Sequence, residues 1–310
     1  MISNTVKAHL SFLVVNIIYG VNYLIAKGLM PDKLAANALI FIRVTGGLLL
    51  FLFFKFFVAE KVKKKHFPRL LFCGLFGVAA NQLTSMNGLS LTSPVDGAII
   101  VTAIPVFTSI ISYFLLKEPF VPQKMAGIAI GAIGAVLLIY LGNTDIGSGS
   151  FTGNLLFAIN AVIFATYLVI VKPLMDIYQP VTVVSWVFGF GFLWMFPFCI
   201  QPILEADFKP FEYFDWFSLL FTIIGPTFLA FLLNMYALQF VKPTVAGSYI
   251  YVQPAVAMIL VAMAAYFVSD SQYQGDITIG KLICCVLIFT GVYLIGSKPL
   301  LKKQKIDDLS

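Results

Sequence analysis

Hydrophobic positions along the chain form long runs that are separated by short breaks of charged residues, proline or glycine. The runs are too long for the alternating strands of a β-barrel, and each matches the roughly 20 apolar residues that a helix needs to cross a bilayer. The pattern therefore predicts an all-α integral membrane protein. Its ten transmembrane helices are predicted at 8–27, 35–57, 69–91, 94–116, 124–142, 151–172, 181–202, 215–240, 243–267 and 278–297.

Composition excludes the soluble classes of protein. The 310 residues are 60% hydrophobic and 11% charged, whereas a soluble domain carries about a quarter charged residues. The four cysteines all fall inside apolar runs, so they are interpreted as buried side chains and not as disulfides or metal ligands. His9 and His66 have no cysteine or carboxylate at ligand spacing, and we expect neither a metal nor a cofactor.

The distribution of charge predicts the topology. An even number of helices places both termini on one side, and most lysines and arginines fall on that side. Positively charged loops stay in the cytoplasm, so both termini are predicted to be cytoplasmic. The expected location is the cytoplasmic (inner) membrane of a bacterium. The basic cluster Lys61–Lys65 is expected to contact anionic lipid head groups and not nucleic acid.

The chain also contains an internal repeat. Shifting the sequence by about 149 positions superimposes four residues of the first half on identical residues of the second: Met86, Leu89, Pro94 and Pro105 on Met235, Leu238, Pro243 and Pro254. Each half holds five helices, an odd number, so the second half must be inserted upside-down, as in many transporters. We predict one five-helix repeat over 1–146 and another over 147–310, with a Gly/Ser-rich linker at 147–150 and a short basic cytoplasmic tail.

Pro105 and Pro254 each lie near the middle of a predicted span. A proline there removes a helical hydrogen bond and leaves the carbonyl of Val101 or Ile250 without its partner. Because the two prolines occupy the same register in both halves, we predict two hinges that line a cavity between the halves. A packing kink is the alternative.

Polar side chains at membrane depth form the candidate binding site. Asn16, Tyr19 and Tyr23 share one face of the first helix by their spacing, and Tyr249 and Gln253 share a face of the ninth. Such groups must face the protein interior, where they either bond helices together or line a common cavity. The predicted substrate-binding residues are Asn16, Tyr19, Tyr23, Arg43, Asn81, Asn160, Tyr249 and Gln253.

Arg43 is the only charge deep within a predicted span. Its planar guanidinium could bind a carboxylate or phosphate of a substrate. A structural role is the alternative, in which Arg43 pairs with Asp32 or Asp96 or caps the end of a neighbouring helix. The G-x-x-x-G step of Gly127 and Gly131 likewise has two interpretations, packing within the chain or contact between two copies, so a monomer and a homodimer both remain open.

These features resemble the EamA-type transporters of the drug/metabolite transporter superfamily. The resemblance rests on the ten spans in two inverted halves, the string Tyr19-Gly-Val-Asn-Tyr23, Arg43 before a glycine-rich run, and the stretch from Leu89 to Pro105. It covers residues 8–297. It implies a central cavity between the halves, alternating access, and export or exchange of small polar or amphipathic organic metabolites, amino acids among them.

Two other classes of protein were weighed against a secondary transporter of a small-molecule substrate. An integral membrane enzyme would need a nucleophile, a base or a metal set, and the sequence contains no such motif and no nucleotide-binding loop. A non-transporting membrane scaffold would have no use for symmetric central prolines and a polar stripe. We therefore expect a transporter and not an enzyme.

Overall fold

The computed structural model describes residues 3–116, 122–141, 150–241, 243–267 and 278–296, and within these ranges the chain is helical with no β-strand. Four of the helices contain a single irregular turn. In chain order the helices are α1 (Asn4–Leu29), α2 (Ala36–Phe56), α3 (Phe67–Gly74 and Ala80–Leu91, joined by the π-helical turn Leu75–Ala79), α4 (Pro94–Ile100 and Ile104–Leu116, joined by the 3₁₀ turn Val101–Ala103), α5 (Pro122–Leu141), α6 (Phe151–Met175), α7 (Pro180–Leu204), α8 (Tyr213–Thr222 and Ala230–Phe240, joined by the π-helical turn Ile223–Leu229), α9 (Pro243–Ser248 and Val252–Phe267, joined by the 3₁₀ turn Tyr249–Tyr251) and α10 (Ile279–Gly296).

Each helix coincides with one of the predicted apolar runs. Six of them, α1, α2, α4, α6, α7 and α8, are long and apolar enough to cross a membrane, and α5, α9 and α10 contain shorter apolar stretches. The chain is therefore a multi-pass membrane protein. The count of ten crossings and the cytoplasmic position of the termini stay predictions.

Serine caps begin two of the helices that surround the site. The Ser93 hydroxyl accepts a hydrogen bond from the backbone N–H of Asp96 at 3.1 Å, and Pro94 occupies the first turn. At the start of α6, the Ser150 hydroxyl accepts from the N–H of Gly153 at 3.0 Å. These caps satisfy N–H groups that have no partner within their own helix.

The two central prolines follow 3₁₀ turns that meet across the interface of the halves. The N–H of Ile104 donates to the carbonyl of Val101, so the tightened turn satisfies an oxygen that was expected to lack a partner. Pro105 and Pro254 are both buried, and the turns that precede them contact each other. Pro105 packs against α9 at Gly247, where a Cβ would lie 2.9 Å from its ring. The hinge function stays a prediction.

Helices α5 and α10 pack closely through glycines. A Cβ added at Gly291 of α10 would lie 2.5 Å from the carbonyl oxygen of Gly127 and 2.5 Å from the nitrogen of Gly131. The G-x-x-x-G step therefore packs within the chain. Whether the protein is a monomer or a homodimer stays a prediction.

Two features predicted from the sequence lie wholly or mostly outside the described residues, namely the Gly/Ser linker at 147–149 and the basic tail after 296. The basic cluster before α3 is described, and Lys61, Lys63, Lys64 and Lys65 are all exposed. Its contact with anionic lipid head groups stays a prediction.

Candidate functional site

A cavity of about 80 Å³ lies at the centre of the helices. Because a water molecule needs about 10–15 Å³ of such space, the cavity has room for several waters or for a small organic group. Its polar wall comes from α1, α2, α3, α6 and α9. The polar side chains are Tyr19, Asn22, Tyr23, Arg43, Asn81, Gln82, Ser85, Asn160 and Gln253.

Six of the eight predicted binding residues line this cavity: Tyr19, Tyr23, Arg43, Asn81, Asn160 and Gln253. Their shared location follows from the spacing that placed them on interior faces of their helices. The geometry is therefore compatible with the interpretation that these side chains line one common cavity. That they bind a substrate stays a prediction.

Asn16 lies about one helical turn before Tyr19 in α1, on the wall of a smaller cavity of about 20 Å³. Tyr19, Phe164 and Gln253 line both cavities, so they form the wall between them. Nε2 of Gln253 donates to Oδ1 of Asn16 at 2.7 Å, and Oε1 of Gln253 accepts from the hydroxyl of Tyr23 at 3.0 Å. The amide of Gln253 thus bonds α9 to two positions on α1.

Tyr249 does not line either cavity. Its hydroxyl lies 2.7 Å from Nδ1 of His9, and its ring stacks on Phe12 with the centroids 5.6 Å apart. The sequence prediction assumed a regular helix, in which Tyr249 and Gln253 would share a face. The 3₁₀ turn Tyr249–Tyr251 has three residues per turn, so it rotates Tyr249 away from that face.

Asn81 and Asn160 bond α3 to α6 beside the cavity. Nδ2 of Asn160 donates to Oδ1 of Asn81 at 2.7 Å and to the hydroxyl of Thr84 at 3.1 Å. Nδ2 of Asn81 donates to the carbonyl of Gly77 at 3.1 Å. The two asparagines therefore hold the helices together as well as forming part of the cavity wall.

Arg43 is almost completely buried, with 2% of its surface exposed, and its guanidinium reaches the cavity wall. Nε donates to the hydroxyl of Thr227 at 3.1 Å and Nη1 to Sδ of Met86 at 2.9 Å. Over the described residues, no carboxylate oxygen lies within 4.0 Å of the guanidinium. A thioether is a weak acceptor, so the positive charge is left largely uncompensated by the protein.

Neither carboxylate that was considered as a partner of Arg43 pairs with it. Asp96 instead lies 2.7 Å from Nζ of Lys281 and accepts from Nδ2 of Asn154 at 3.4 Å. This ion pair is buried and connects the first turn of α4 with the first turn of α10. Asp96 therefore connects two helices and does not neutralise Arg43.

Two further polar groups on the cavity wall have no hydrogen-bond partner among the described residues, namely Oδ1 of Asn22 and Oε1 of Gln82. Buried acceptors are almost always satisfied, so two such oxygens on lining residues of one cavity are an exception to the usual pattern. The sequence analysis missed both. Asn22 lies three positions after Tyr19, and this helical spacing could have found it.

The remaining wall of the cavity is apolar. It consists of three aromatic rings and three aliphatic or thioether side chains: Phe157, Phe164, Phe231, Met86, Val101 and Ile104. With 31 phenylalanines in the chain, no sequence pattern distinguished these three. The cavity is therefore lined by charged and polar side chains together with aromatic ones, which suits an amphipathic solute.

Some polar residues of the first helix of each half also repeat, at a spacing that the shift of 149 positions does not match. Asn16 and Tyr23 in α1 are seven residues apart, as are Asn160 and Tyr167 in α6. The hydroxyl of Tyr167 donates to Sδ of Met235 at 3.3 Å, just as Arg43 donates to Met86. The Asn and Tyr pair thus recurs in the first helix of each half, whereas Met86 and Met235, which correspond under the shift of 149, accept from side chains of different helices, α2 and α6.

Metal binding has no candidate site in the described ranges, where no three His, Cys, Asp or Glu side chains come together. His9 and His66 each bond a tyrosine, Tyr249 and Tyr178, at 2.7 Å and 2.8 Å. The absence of a metal or cofactor stays a prediction.

Comparison with known proteins places the chain among transporters. The model of the EamA-like transporter family matches residues 6–140 and again residues 151–297. The uncharacterized transporter YetK of Bacillus subtilis is 27% identical over 64% of this chain, and the match covers 60% of YetK, less than two thirds of its length. An uncharacterized transporter of Archaeoglobus fulgidus is 24% identical over 78% of this chain and 82% of its own. A crystal structure of another protein shares the fold, with a TM-score of 0.61 and 20% identity, and the match covers 93% of this chain and 97% of the other.

Proposed function

The chain belongs to the EamA-like transporter family and is a membrane transporter, and from this premise we propose that it is a secondary transporter of a small amphipathic organic anion or zwitterion, amino-acid-like in chemistry. The solute crosses the bacterial cytoplasmic membrane by alternating access between the two halves. The direction is export or exchange.

The observation that carries this proposal is the buried guanidinium of Arg43 on the cavity wall with no carboxylate close to it in the described part of the chain. A buried charge is costly unless it is paired, and within a membrane protein it marks a functional site by default. A solute carboxylate would supply the missing charge through the two-pronged geometry that a guanidinium offers.

The rest of the cavity matches the other parts of such a solute. The unpartnered oxygens of Asn22 and Gln82 can accept hydrogen bonds from an ammonium or hydroxyl group. The rings of Phe157, Phe164 and Phe231 can pack on its apolar part. A solute that binds all three regions is small, charged at one end and apolar at the other.

Passage through the protein requires the wall between the two cavities to open. Gln253 closes that wall through its bonds to Asn16 and Tyr23, and Pro254 follows it directly. Rocking of two inverted halves about a central site would exchange these contacts and expose the solute to the other side.

The two competing classes fit the geometry less well. A scaffold has no need for unpartnered buried polar groups around a central cavity, each of which destabilises the fold by about 1–3 kcal/mol. Proteins of a transporter family are generally not enzymes.

Transport by purified protein in liposomes tests the proposal. Vesicles are preloaded with a mixture of amino acids, organic acids and neutral sugars, and the contents are followed by mass spectrometry. We expect selective movement of carboxylated solutes. Ser85→Trp should abolish this movement, because the larger side chain fills the cavity. Leu193→Trp should retain it, because Leu193 lies on the lipid-facing surface with 66% of its side chain exposed. If vesicles with the wild-type protein and protein-free vesicles retain all solutes equally, the proposal is contradicted.

A further inference from the structure

Two lysines form the same type of bond at two places in the molecule. Nζ of Lys27, in the last turn of α1, lies 2.9 Å from the carbonyl oxygens of both Leu89 and Ser90 at the end of α3. Nζ of Lys172, in the last turn of α6, lies 2.9 Å from the carbonyl oxygen of Leu238 at the end of α8. The sequence analysis singled out neither lysine.

The two bonds are related by the internal repeat. Leu89 and Leu238 correspond under the shift of 149 residues, and α1 and α6 are the first helices of their halves. The last carbonyls of a helix have no donor within that helix and carry the negative end of its dipole. An ammonium group therefore binds there favourably, and the same contact has been built twice.

The two bonds lie at opposite ends of the molecule. Gly153, near the start of α6, packs against the end of α3, because a Cβ at Gly153 would lie 2.9 Å from the carbonyl oxygen of Gly88 and 2.8 Å from Thr92. Helix α6 thus begins beside the Lys27 bond. Lys172 lies about 28 Å further along α6, at roughly 1.5 Å per residue. This distance is close to the roughly 30 Å thickness of the hydrocarbon core.

Each bond connects the two sides of the cavity. On one side, α1 packs on α9, where Gly20 contacts Val256, and also on α8. On the other side, α3 packs on α6 through Asn81 and Asn160. The Lys27 bond joins α1 to α3 and the Lys172 bond joins α6 to α8, so each closes the gap at one end.

We propose that Lys27 and Lys172 are gating residues, each of which holds one end of the transport pathway shut. The proposal rests on the proposed function, since alternating access requires each end to open while the other stays closed. Both bonds are formed in this structure. Lys172 also lies 2.6 Å from Oδ1 of Asp176, whose side chain is 54% exposed, so its ammonium keeps a partner when the bond to Leu238 opens.

Side-specific labelling of cysteines tests this without knowledge of the solute. In a background with Cys73, Cys199, Cys284 and Cys285 replaced by alanine, Ser85→Cys reports on the larger cavity and Asn234→Cys on the smaller one. The two reporters correspond under the same shift of 149. A membrane-impermeant maleimide is added to either side of oriented vesicles.

We expect Lys27→Met to raise the labelling rate of Ser85→Cys by roughly tenfold from the Lys27 end, because the variant loses the two charged hydrogen bonds to Leu89 and Ser90. The labelling rate of Asn234→Cys should be unchanged. Lys172→Met should do the reverse. Arginine at either position keeps a donor and should restore the slow rate, and Lys64→Met, at an exposed lysine, is the matched control. If a methionine variant does not fold, glutamine at the same position should accelerate labelling of the same reporter by a smaller factor.

Equal acceleration of both reporters, or of neither, in protein of wild-type thermal stability would overturn the proposal. Acceleration that arginine does not reverse would overturn it as well. The proposed function fails separately: reporters that respond as expected in a protein that moves no solute would leave the gates standing and remove the transport activity. If the protein moves solute but the reporters do not respond, the gating proposal fails and the proposed function stands.

Discussion

Nζ of Lys281 lies 2.7 Å from Oδ1 of Asp96, and 5% and 1% of the two side chains are exposed. The pair joins the first turn of α10 to the first turn of α4, which also contributes Val101 and Ile104 to the cavity wall. A buried ion pair of this kind fixes the relative position of two helices, because neither charge can be left without the other.

Removing one partner should therefore be severe. We expect Lys281→Met to lower the free energy of unfolding by about 3–5 kcal/mol, because it removes the ammonium beside the buried Asp96 carboxylate. The double variant Asp96→Asn, Lys281→Met should recover at least half of the loss. Thermal unfolding in detergent measures both. The control is Lys64→Met, at an exposed lysine, with an expected loss under about 1 kcal/mol. Equal losses at the two lysines would contradict the structural role of the pair.

The wall between the two cavities provides a second prediction. Gln253→Met removes both bonds to α1 and leaves Oδ1 of Asn16 without its donor, so we expect a loss of about 2–3 kcal/mol. Tyr23→Phe removes one bond and should lose about 1 kcal/mol. Tyr293→Phe, at a side chain that is 73% exposed, should be neutral in the same unfolding measurement. A neutral Gln253→Met would show that the wall is not held by these bonds.

Much of the architecture could be predicted from the sequence because each helix carries its own signal. The apolar runs located the helices to within a few residues. Pro94 and Pro243 each begin a helix, where the missing backbone N–H would have had no partner within the helix. Six of eight binding candidates reach the central cavity since a polar group in lipid must face inward.

The remaining details depend on contacts between helices that are distant in the chain. Tyr249 left the cavity because of a local 3₁₀ turn, which helical spacing does not reveal. The partner of Asp96 turned out to be Lys281, 185 positions away, and no local pattern links the two. Unpartnered groups such as Oδ1 of Asn22 can be recognised only once all neighbours are placed.

The close contact of α5 and α10 provides a third prediction. At Gly291 an added Cβ would meet backbone atoms of Gly127 and Gly131 at 2.5 Å, so Gly291→Ala should destabilise the protein by about 1–3 kcal/mol. At Gly28 a Cβ would meet nothing within 4 Å, and Gly28→Ala should be neutral or stabilising by about 1 kcal/mol because alanine favours helix. The two alanine variants are compared by thermal unfolding. The packing account is wrong if they do not differ.

His66, which precedes α3, should make stability depend on pH. Desolvation of its ring, together with the positive charges of Lys65, Arg69 and Lys63, lowers the pKa of His66 below its usual 6.5. The hydroxyl of Tyr178 accepts from the N–H of Lys63 and can donate its proton to Nδ1 of the neutral ring.

The sign follows from this lowered pKa. The unfolded chain takes up a proton at His66 near pH 6.5 while the folded protein resists it, so stability is retained above that pH and falls as the pH drops through it. We expect the melting temperature of the wild type to decrease between pH 7.5 and about pH 5 more than that of His66→Asn. Parallel pH profiles for the two proteins would exclude a contribution from His66.

The central claim is that Arg43 binds the anionic group of a transported solute. It is tested most directly by transport in vesicles of two matched solutes, a carboxylate that the wild type moves and its uncharged amide. The variants are Arg43→Lys, which keeps the charge and loses the two-pronged geometry, and Arg69→Lys at an exposed arginine outside the cavity. We expect Arg43→Lys to raise the KM for the carboxylate by about 10-fold to 100-fold, equivalent to about 1–3 kcal/mol, with little change for the amide and none in Arg69→Lys. An unchanged preference for the carboxylate in well-folded Arg43→Lys protein would contradict the claim.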